Sequence, residues 1–234
     1  MSPVLISQDG MWWWDGHAWR SRAVEGELDL FWFTSTPQWF ERIAVTGLIG
    51  LIPFVGTINL YGWTLVTTDM IRRRWKELPP AGFQYLERGV SPFVVGFVYS
   101  MVFLFVLVAL VVAFLTSAFT RRGEVIVSTL VVLAVLTVVL VIAWWLVSLY
   151  FFAALLMASD KLGIARALHP RTLFHVARRN SHLSLRIAFI YGLSTVVLTA
   201  VSSVIPFGAF AIVVALPAVL AMMVPSLAHF EVEG

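Results

Sequence analysis

The sequence contains a run of thirty-five residues, 125–159, without a single charged side chain. A second uncharged run covers residues 94–120. A helix of about 20 apolar residues crosses the hydrocarbon core of a bilayer, and both runs are longer than that. Because a helix buried in a soluble protein does not need so long an apolar run, the sequence predicts an integral membrane protein.

The rest of the composition agrees with this class and excludes some others. Only 12% of the 234 residues are charged, against about 25% in ordinary soluble domains. The chain has no cysteine, so disulfides, thiol catalysis and thiolate metal sites are excluded. The formal net charge of +3 is small, and we interpret the basic loops as a topology signal rather than a nucleic-acid surface.

A short Pro-Phe turn occurs twice, each time inside an apolar run, at residues 51–56 and 204–208. Proline removes a backbone donor and glycine permits unusual backbone angles, so each copy is predicted to be the tip of a helical hairpin. The residues that define the two tips are Pro53, Gly56, Pro206 and Gly208. Small residues should also let the helices of the first hairpin pack closely; these are Gly47, Gly50, Gly56 and Gly62.

We therefore expect an all-α polytopic membrane protein with about six transmembrane helices, in which two hairpins flank two long helices. Thr36 is expected to cap the first helix, with Pro37 in its first turn. Because the first helix is short, a single kinked span over residues 43–71 is the alternative for the first hairpin. The expected helices are residues 37–52, 57–75, 92–119, 125–159, 183–205 and 208–229.

The chain is expected to have four parts, and its basic loops predict their orientation. The parts are a Trp-rich β-hairpin module (1–22), an acidic linker (23–36), a helical membrane domain (37–230) and a tail (231–234). Residues 72–88 contain five Lys or Arg and residues 160–186 contain six. Six helices place both loops on one side, which the positive-inside rule assigns to the cytoplasm. Both termini are then cytoplasmic, and the first apolar segment, near Ile43, acts as an uncleaved signal anchor.

Residues 7–20 combine a run of Trp residues, an Asp-Gly pair and a further Trp. Asp-Gly between β-favouring segments predicts a hairpin turn. The pattern Trp-Trp-Asp-Gly-x-x-Trp resembles the short module of domain-of-unknown-function family 2510, which carries no known chemistry. An alternative to partner docking is a hairpin that rests on the lipid headgroup layer. The candidate docking residues are Trp12, Trp13, Trp14 and Trp19.

A second resemblance covers most of the chain, about residues 40–230. The motifs that carry it are Leu51-Ile52-Pro53-x-x-Gly56, Tyr61-Gly62, the arginines at 72–74, Leu78-Pro79, Asp160-Lys161-Leu162-Gly163 and Arg178-Arg179-Asn180. In this order they resemble the membrane family called domain-of-unknown-function family 4013. The resemblance implies a bacterial or archaeal polytopic membrane protein, here of the bacterial inner membrane, with no established activity. It supplies no catalytic residues.

Asp69 is the one acidic residue inside an otherwise uncharged part of a predicted span. Acids within a membrane are candidates for ion or proton transport. Asp69 also lies three and four residues before Arg72 and Arg73, a spacing at which side chains meet on a helix. These three residues are therefore candidates for a transport site or for an ion pair at the helix end, and the spacing favours the ion pair.

Residues 170–180 place apolar and basic side chains on different faces of a predicted helix, which is the pattern of an interfacial amphipathic helix. With the start of the next helix, they supply a candidate shelf for anionic lipid headgroups: His175, Arg178, Arg179, His182 and Arg186. The alternative is that these cations only set the topology. The five histidines have no catalytic or metal-binding spacing, so we expect no catalytic residue, metal site or cofactor.

These features favour a non-enzymatic integral membrane protein of the plasma membrane, a scaffold or accessory subunit of a membrane complex. Its expected partners are membrane lipids and either another protein of that complex or further copies of itself, with no nucleic acid. A small transporter or channel-like protein is one alternative, because repeated hairpins occur at transporter sites. A protein that binds or senses anionic lipids is the other.

Overall fold

The computed structural model describes residues 5–14, 16, 18–21, 28–120, 127–204 and 208–232. These residues form α-helices together with a two-stranded sheet near the N-terminus. The strands are β1 (Trp12–Trp14) and β2 (Trp19–Ser21), followed by a 3₁₀ turn (Trp32–Ser35). The helices are α1 (Trp39–Gly50), α2 (Val55–Arg72), α3 (Leu86–Thr120), α4 (Val127–Leu162), α5 (Ile164–Ala167), α6 (Pro170–Arg179), α7 (Ser181–Val204) and α8 (Gly208–Ala228).

The two strands pair where the sequence predicts a hairpin. They are antiparallel, with Trp14 opposite Trp19 and Trp13 opposite Arg20. Between them, Gly16 has a φ of +97°, a backbone conformation that glycine adopts without strain. Ile6 forms a further antiparallel bridge to Trp13, so the chain before β1 also lies along that strand.

Three helices in the described part of the chain are long and apolar enough to cross a membrane: Leu86–Val112, Ala134–Leu162 and Ser181–Val204. Val214–Ala228 is a shorter apolar helix. These helices support a membrane protein, but the six crossings expected from the sequence are not confirmed. Helix α1 of the first hairpin is short for a membrane crossing, because its 12 residues extend only about 18 Å.

The tip of the first hairpin lies beside the beginning of α3. The Phe54 ring meets the Phe93 ring edge-on, with centroids 6.2 Å apart, whereas α3 continues to Thr120. The hairpin therefore ends alongside the first turns of α3, and most of that helix extends beyond it. Helix α3 begins at Leu86 rather than at Pro92, and Pro92 lies inside the helix in its second turn.

Two local predictions at the first hairpin are wrong. The Thr36 hydroxyl donates to the Phe33 carbonyl at 2.7 Å, which closes the 3₁₀ turn, and the residue that precedes α1 is Gln38. At the tip, the positive φ of +61° belongs to Phe54. Gly56 is needed for a different reason: there is no room for a side chain, since a Cβ there would lie 2.5 Å from the Ile49 carbonyl oxygen.

Close helix packing at glycine, which the sequence predicts, is observed at two further positions. A Cβ on Gly47 would lie 2.6 Å from the Cα of Val214 in α8. A Cβ on Gly62 would overlap the carbonyl oxygen of Tyr85, just before α3. Helix α2 is therefore held directly against the start of α3, and α1 directly against α8.

The segment between α2 and α3 folds back along α2. The Trp63 indole donates to the Pro79 carbonyl at 3.4 Å and the Asn59 amide to the Gly82 carbonyl at 2.9 Å. Tyr85 donates its hydroxyl to the Pro80 carbonyl at 2.6 Å, and burial raises the pKa of this phenol, so it stays protonated. These bonds place the start of α3 midway along α2.

The core lies at the end of the bundle where α2, α4 and α8 meet. Most of its largest fully buried side chains come from these three helices, among them Trp63, Leu65, Leu156, Met157, Met223 and Leu227. The other ends of α3 and α4 are largely exposed apolar surface, with Phe105 74% and Val132 67% exposed. The densely packed end is where the charged side chains of the helices meet.

Candidate functional site: an ion-pair cluster at the packed end

An arginine at the start of α3 joins the ends of two other helices. The Arg88 guanidinium binds the Asp160 carboxylate of α4 in a bidentate pair, with Nε–Oδ1 at 2.8 Å and Nη2–Oδ2 at 2.9 Å. The same Nη2 lies 2.7 Å from Oδ2 of Asp69 in α2. Planar, bidentate pairing is the strongest geometry for an arginine and a carboxylate. Arg88 therefore connects α2, α3 and α4.

Two further cations complete the cluster. Lys161 Nζ lies 3.4 Å from Asp160 Oδ2 and 4.0 Å from Asp69 Oδ1. Arg72 Nη1 lies 3.7 Å from Asp69 Oδ1. Two carboxylates thus face three cations, and the Asp160 side chain is only 9% exposed. Both acids are neutralised, which is what the low polarity of the surroundings requires.

Arg72 extends the cluster to the last long helix. Its Nε donates to the Ala228 carbonyl at 3.0 Å, and its Nη2 donates to the carbonyls of Phe230 at 3.0 Å and Leu227 at 3.3 Å. The last carbonyls of a helix have no partner within the helix, and a cation there also offsets the helix dipole. Arg72 therefore caps α8 while it pairs with Asp69.

The Asp69 side chain forms ion pairs in the structure. The carboxylate has cations from α2, α3 and α4 within 4.0 Å. Arg73, the second candidate partner, is exposed and contacts Asp69 through its backbone N–H, which donates to the Asp69 carbonyl at 3.0 Å. No group of three metal-ligating side chains occurs in the part of the chain that the structure describes.

The predicted lipid shelf divides into two parts. His175, Arg178, His182 and Arg186 are exposed on α6 and the first turns of α7. Arg179, in contrast, pairs with Glu231 at 3.1 Å. The apolar face of α6 is covered by protein, because Leu173, Val176 and Ala177 are buried against the core, whereas Phe174 is 56% exposed.

The C-terminal residues lie against the start of α7. The Asn180 amide donates to the Glu231 carbonyl at 2.8 Å, and Asn180 Oδ1 accepts from the Glu231 N–H at 3.0 Å. Together with the cluster, these bonds bring both basic loops and the C-terminus to one end of the bundle. This agrees with the arrangement expected from the charge counts; which side of a membrane that end faces stays a prediction.

The remaining candidates are placed as follows. Trp12 and Trp19 are 42% and 48% exposed, and Trp13 and Trp14 are half-buried. Pro53 is exposed at the tip between α1 and α2. Gly208 begins α8, whereas Pro206 lies outside the described residues.

Sequence reasoning missed three members of the cluster as site residues: Arg88, Asp160 and Lys161. The signal was present, because Asp160-Lys161 was part of the motif that supported the family resemblance. A second missed pair is Arg42, which binds Glu77 at 3.2 Å and also donates to the Leu78 carbonyl. Arg88 and Asp160 are 72 positions apart and Arg42 and Glu77 are 35 apart, so no local pattern could have matched these two pairs.

The fold and the cluster define the class of the chain: an all-α protein with apolar helices of membrane-spanning length, closed at one end by ion pairs. A family profile described as a protein of unknown function, DUF4013, matches residues 45–214. Because this match covers more than half of the chain, the protein belongs to the DUF4013 family. The match begins after the Trp hairpin, so the resemblance to family 2510 stays a prediction. No curated protein and no solved structure matches the chain.

Proposed function

We propose that the chain is a non-enzymatic integral membrane protein that serves as a scaffold or accessory subunit of a membrane complex. In this proposal the helical bundle is a rigid anchor in the plasma membrane, and the Trp-rich hairpin is the part that binds a protein partner. The packed end and the hairpin face the cytoplasm, as the positive-inside rule predicts.

The exposed aromatic face of the hairpin is the observation that carries this proposal. Residues opposite each other in an antiparallel pair point to the same side of a sheet, so Trp14 and Trp19 share a face with Trp12. The rings of Trp14 and Trp19 meet edge-on at 5.6 Å. Exposed tryptophans held in this way can fill a partner's pocket at little entropic cost, which is typical of binding hot spots.

The charge cluster supports an anchoring role for the bundle. Asp69 and Asp160 are paired with cations of the same chain at 2.7–4.0 Å. A transport site needs an acid that can release its partner and bind the cargo, so this pairing favours the scaffold over the transporter.

The docking proposal is tested by alanine substitutions in the full chain. Trp12→Ala with Trp19→Ala removes two exposed rings, and Met11→Ala is the matched control because Met11 is 46% exposed on the same hairpin. Each variant is purified from membranes in mild detergent, and stoichiometric co-purifying proteins are quantified by mass spectrometry. We expect the double Trp variant to lose a partner that the wild type and Met11→Ala retain. The proposal fails if the double variant retains every partner.

Anionic-lipid binding is a second candidate function, favoured by the exposed cations of α6 and α7. His175 and Arg178 are exposed on α6, whose opposite face is packed against protein, and His182 is exposed in the first turn of α7. An arginine at such a surface attracts acidic headgroups by about 1 kcal/mol. Arg178→Gln should therefore weaken retention of phosphatidylglycerol by the purified chain, and unchanged retention would remove the shelf as a lipid site.

A further inference from the structure

A cavity of 460 Å³ lies between the end of α2, the first turns of α7 and the end of α8. This volume is in the range of small-molecule sites. The cavity shares Arg72 with the ion-pair cluster, and it shares Arg186 with the predicted shelf. It is otherwise separate from both, and its described lining residues are Leu28, Ile71, Arg72, Arg74, Leu183, Arg186, Pro225, Ser226, Ala228 and His229.

The charge of the lining is positive. Arg72, Arg74, Arg186 and His229 line the cavity, and no described lining residue is acidic. Arg72 is already bound to the last carbonyls of α8 and to Asp69, so it mainly offsets the negative end of that helix. Arg74 and Arg186 form no ion pair with any acid among the described residues, which leaves two guanidinium groups for an anion.

A buried hydroxyl in the lining also lacks a partner. Ser226 is 2% exposed, and its Oγ has no hydrogen-bond partner within the described part of the chain. Leaving a buried polar group unpaired is costly, so such groups call for an explanation. A bound oxygen acceptor, to which Ser226 could donate, supplies one.

The other walls of the cavity are apolar. Leu28, Ile71, Leu183 and Pro225 line it beside the arginines. A ligand that contacts both kinds of wall has an anionic head and an adjoining apolar part. Arginine is particularly suited to phosphate, because its donors match the phosphate oxygens in a bidentate geometry.

We propose that this cavity binds the phosphate headgroup of an anionic membrane lipid. Arg74 and Arg186 contact the phosphate oxygens, Ser226 donates a hydrogen bond, and the apolar walls hold the glycerol and the start of the acyl chains. A soluble phosphate ester offers the same head but no apolar part, so the apolar walls favour the lipid. The inference does not depend on the docking role of the Trp hairpin.

The test measures lipid retention by native mass spectrometry of the purified full chain. The probes are phosphatidylglycerol, zwitterionic phosphatidylcholine and soluble glycerol phosphate. The wild type should retain one phosphatidylglycerol in preference to phosphatidylcholine. Replacing both arginines, Arg74→Gln with Arg186→Gln, should reduce retention by about tenfold or more, which corresponds to about 1.4 kcal/mol of binding free energy. Ser226→Ala should reduce it by a smaller factor.

The matched control is Arg171→Gln, which neutralises an exposed arginine outside both the cavity and the predicted shelf. Retention in this variant should stay within about twofold of the wild type, since one screened surface charge contributes little. Equal losses in Arg171→Gln and in the cavity variants would assign binding to surface charge in general, and an equal loss in Arg178→Gln would assign it to the surface shelf. Either result overturns the cavity site. Glycerol phosphate that binds as tightly as the lipid would overturn the lipid as ligand. If the double variant does not fold, Arg186→Glu alone makes the same test, because Arg186 is exposed.

Discussion

Helices α3 and α4 each have two halves that are held in different ways. In the halves that contain Arg88 and Asp160, charged side chains bond to each other and to α2, and buried residues pack against the core. In the other halves the side chains are mostly exposed, with Val138 at 56% and Val139 at 55%. One specific contact there is the stack of Phe103 on Trp144, with ring centroids 4.4 Å apart.

The difference shows which kinds of contact specify the bundle. Apolar helices gain little from meeting each other in lipid, because the lipid tails are as apolar as the side chains. Ion pairs, hydrogen bonds and close glycine contacts therefore determine the arrangement at the packed end. Away from the stack of Phe103 on Trp144, the exposed halves need only length and hydrophobicity, so one apolar residue there can replace another.

Removing Arg88, the central arginine of the ion-pair cluster, should destabilise the bundle more than any of the substitutions that follow. Arg88→Met leaves Asp69 and Asp160 with fewer cations at positions that are 27% and 9% exposed. Breaking a buried pair costs about 3–5 kcal/mol; because Arg88 is 29% exposed, we expect roughly 2–3 kcal/mol. The midpoint of thermal unfolding in detergent should fall by roughly 5–10 °C.

Two controls sharpen this test. Arg88→Lys keeps the charge without the bidentate geometry, so its midpoint should lie between those of the wild type and Arg88→Met. Val138→Met makes a similar apolar substitution in the exposed half and should leave the midpoint nearly unchanged. If Val138→Met destabilises as much as Arg88→Met, the two halves do not differ as we describe.

Adding one methyl group at a helix contact should have the second largest effect. Gly62→Ala places a Cβ against the Tyr85 carbonyl, and the backbone cannot move without shifting the start of α3, so we expect a loss of about 1–2 kcal/mol. Gly96→Ala is the matched control, since a Cβ there would lie 3.9 Å from the Leu155 side chain. Thermal unfolding should show Gly96→Ala as neutral or slightly stabilising. Equal midpoints for the two variants would contradict the close contact.

The aromatic stack tests a specific contact of the exposed halves. Trp144→Leu removes the stack on Phe103, and such pairs contribute about 0.5–1.5 kcal/mol beyond their buried area. Trp145 is the neighbour and is 37% exposed, so Trp145→Leu should have a smaller effect on the unfolding midpoint. A larger effect at Trp145 would mean that its contact with α7, beside Gly192, outweighs the stack.

The same division explains what the sequence could predict. The long helices follow from hydropathy, and the bounds of α6 follow from its alternating apolar and basic residues, because both patterns are local. The pairing of Arg88 with Asp160 was not predictable, since the partners are 72 residues apart. The cap at Thr36 failed for a different reason: its hydroxyl bonds backward to Phe33 instead of forward to α1.

Part of the cavity could have been found from the charge counts. Placing both basic loops and the C-terminus at one end already implies that Arg74, Arg186 and His229 lie on the same side of the bundle. What the sequence does not contain is the space between them, which depends on how α7 and α8 pack. Nor does it indicate that Ser226 lacks a partner, because a serine on an apolar helix often bonds to a carbonyl of its own helix.

The smallest effect on the stability of the bundle is expected from a change outside both halves, in the turn before β1. The Ser7 hydroxyl donates to Asp9 Oδ1 at 2.5 Å, and the Met11 N–H donates to the same oxygen at 3.0 Å. Both hydrogen bonds lower the pKa of Asp9 below its ordinary value, and the bond from Ser7 has the larger effect. The pKa of Asp9 is lower in the folded turn than in the unfolded chain. These bonds therefore stabilise the turn fully at a pH above the ordinary pKa of an aspartate, and this stabilisation is lost as the pH falls through the lowered pKa of the folded turn.

Ser7→Ala should therefore raise the pKa of Asp9 toward its ordinary value without changing the unfolding midpoint of the bundle. The measurement is a pH titration of the Asp9 carboxyl carbon by NMR in the full chain, with Ser35→Ala as a control whose hydroxyl bonds to Trp32 and not to an acid. A shift of the bundle midpoint in Ser7→Ala would show that the hairpin and the helices unfold as one unit. An unchanged Asp9 pKa would show that the Ser7 bond does not hold this turn.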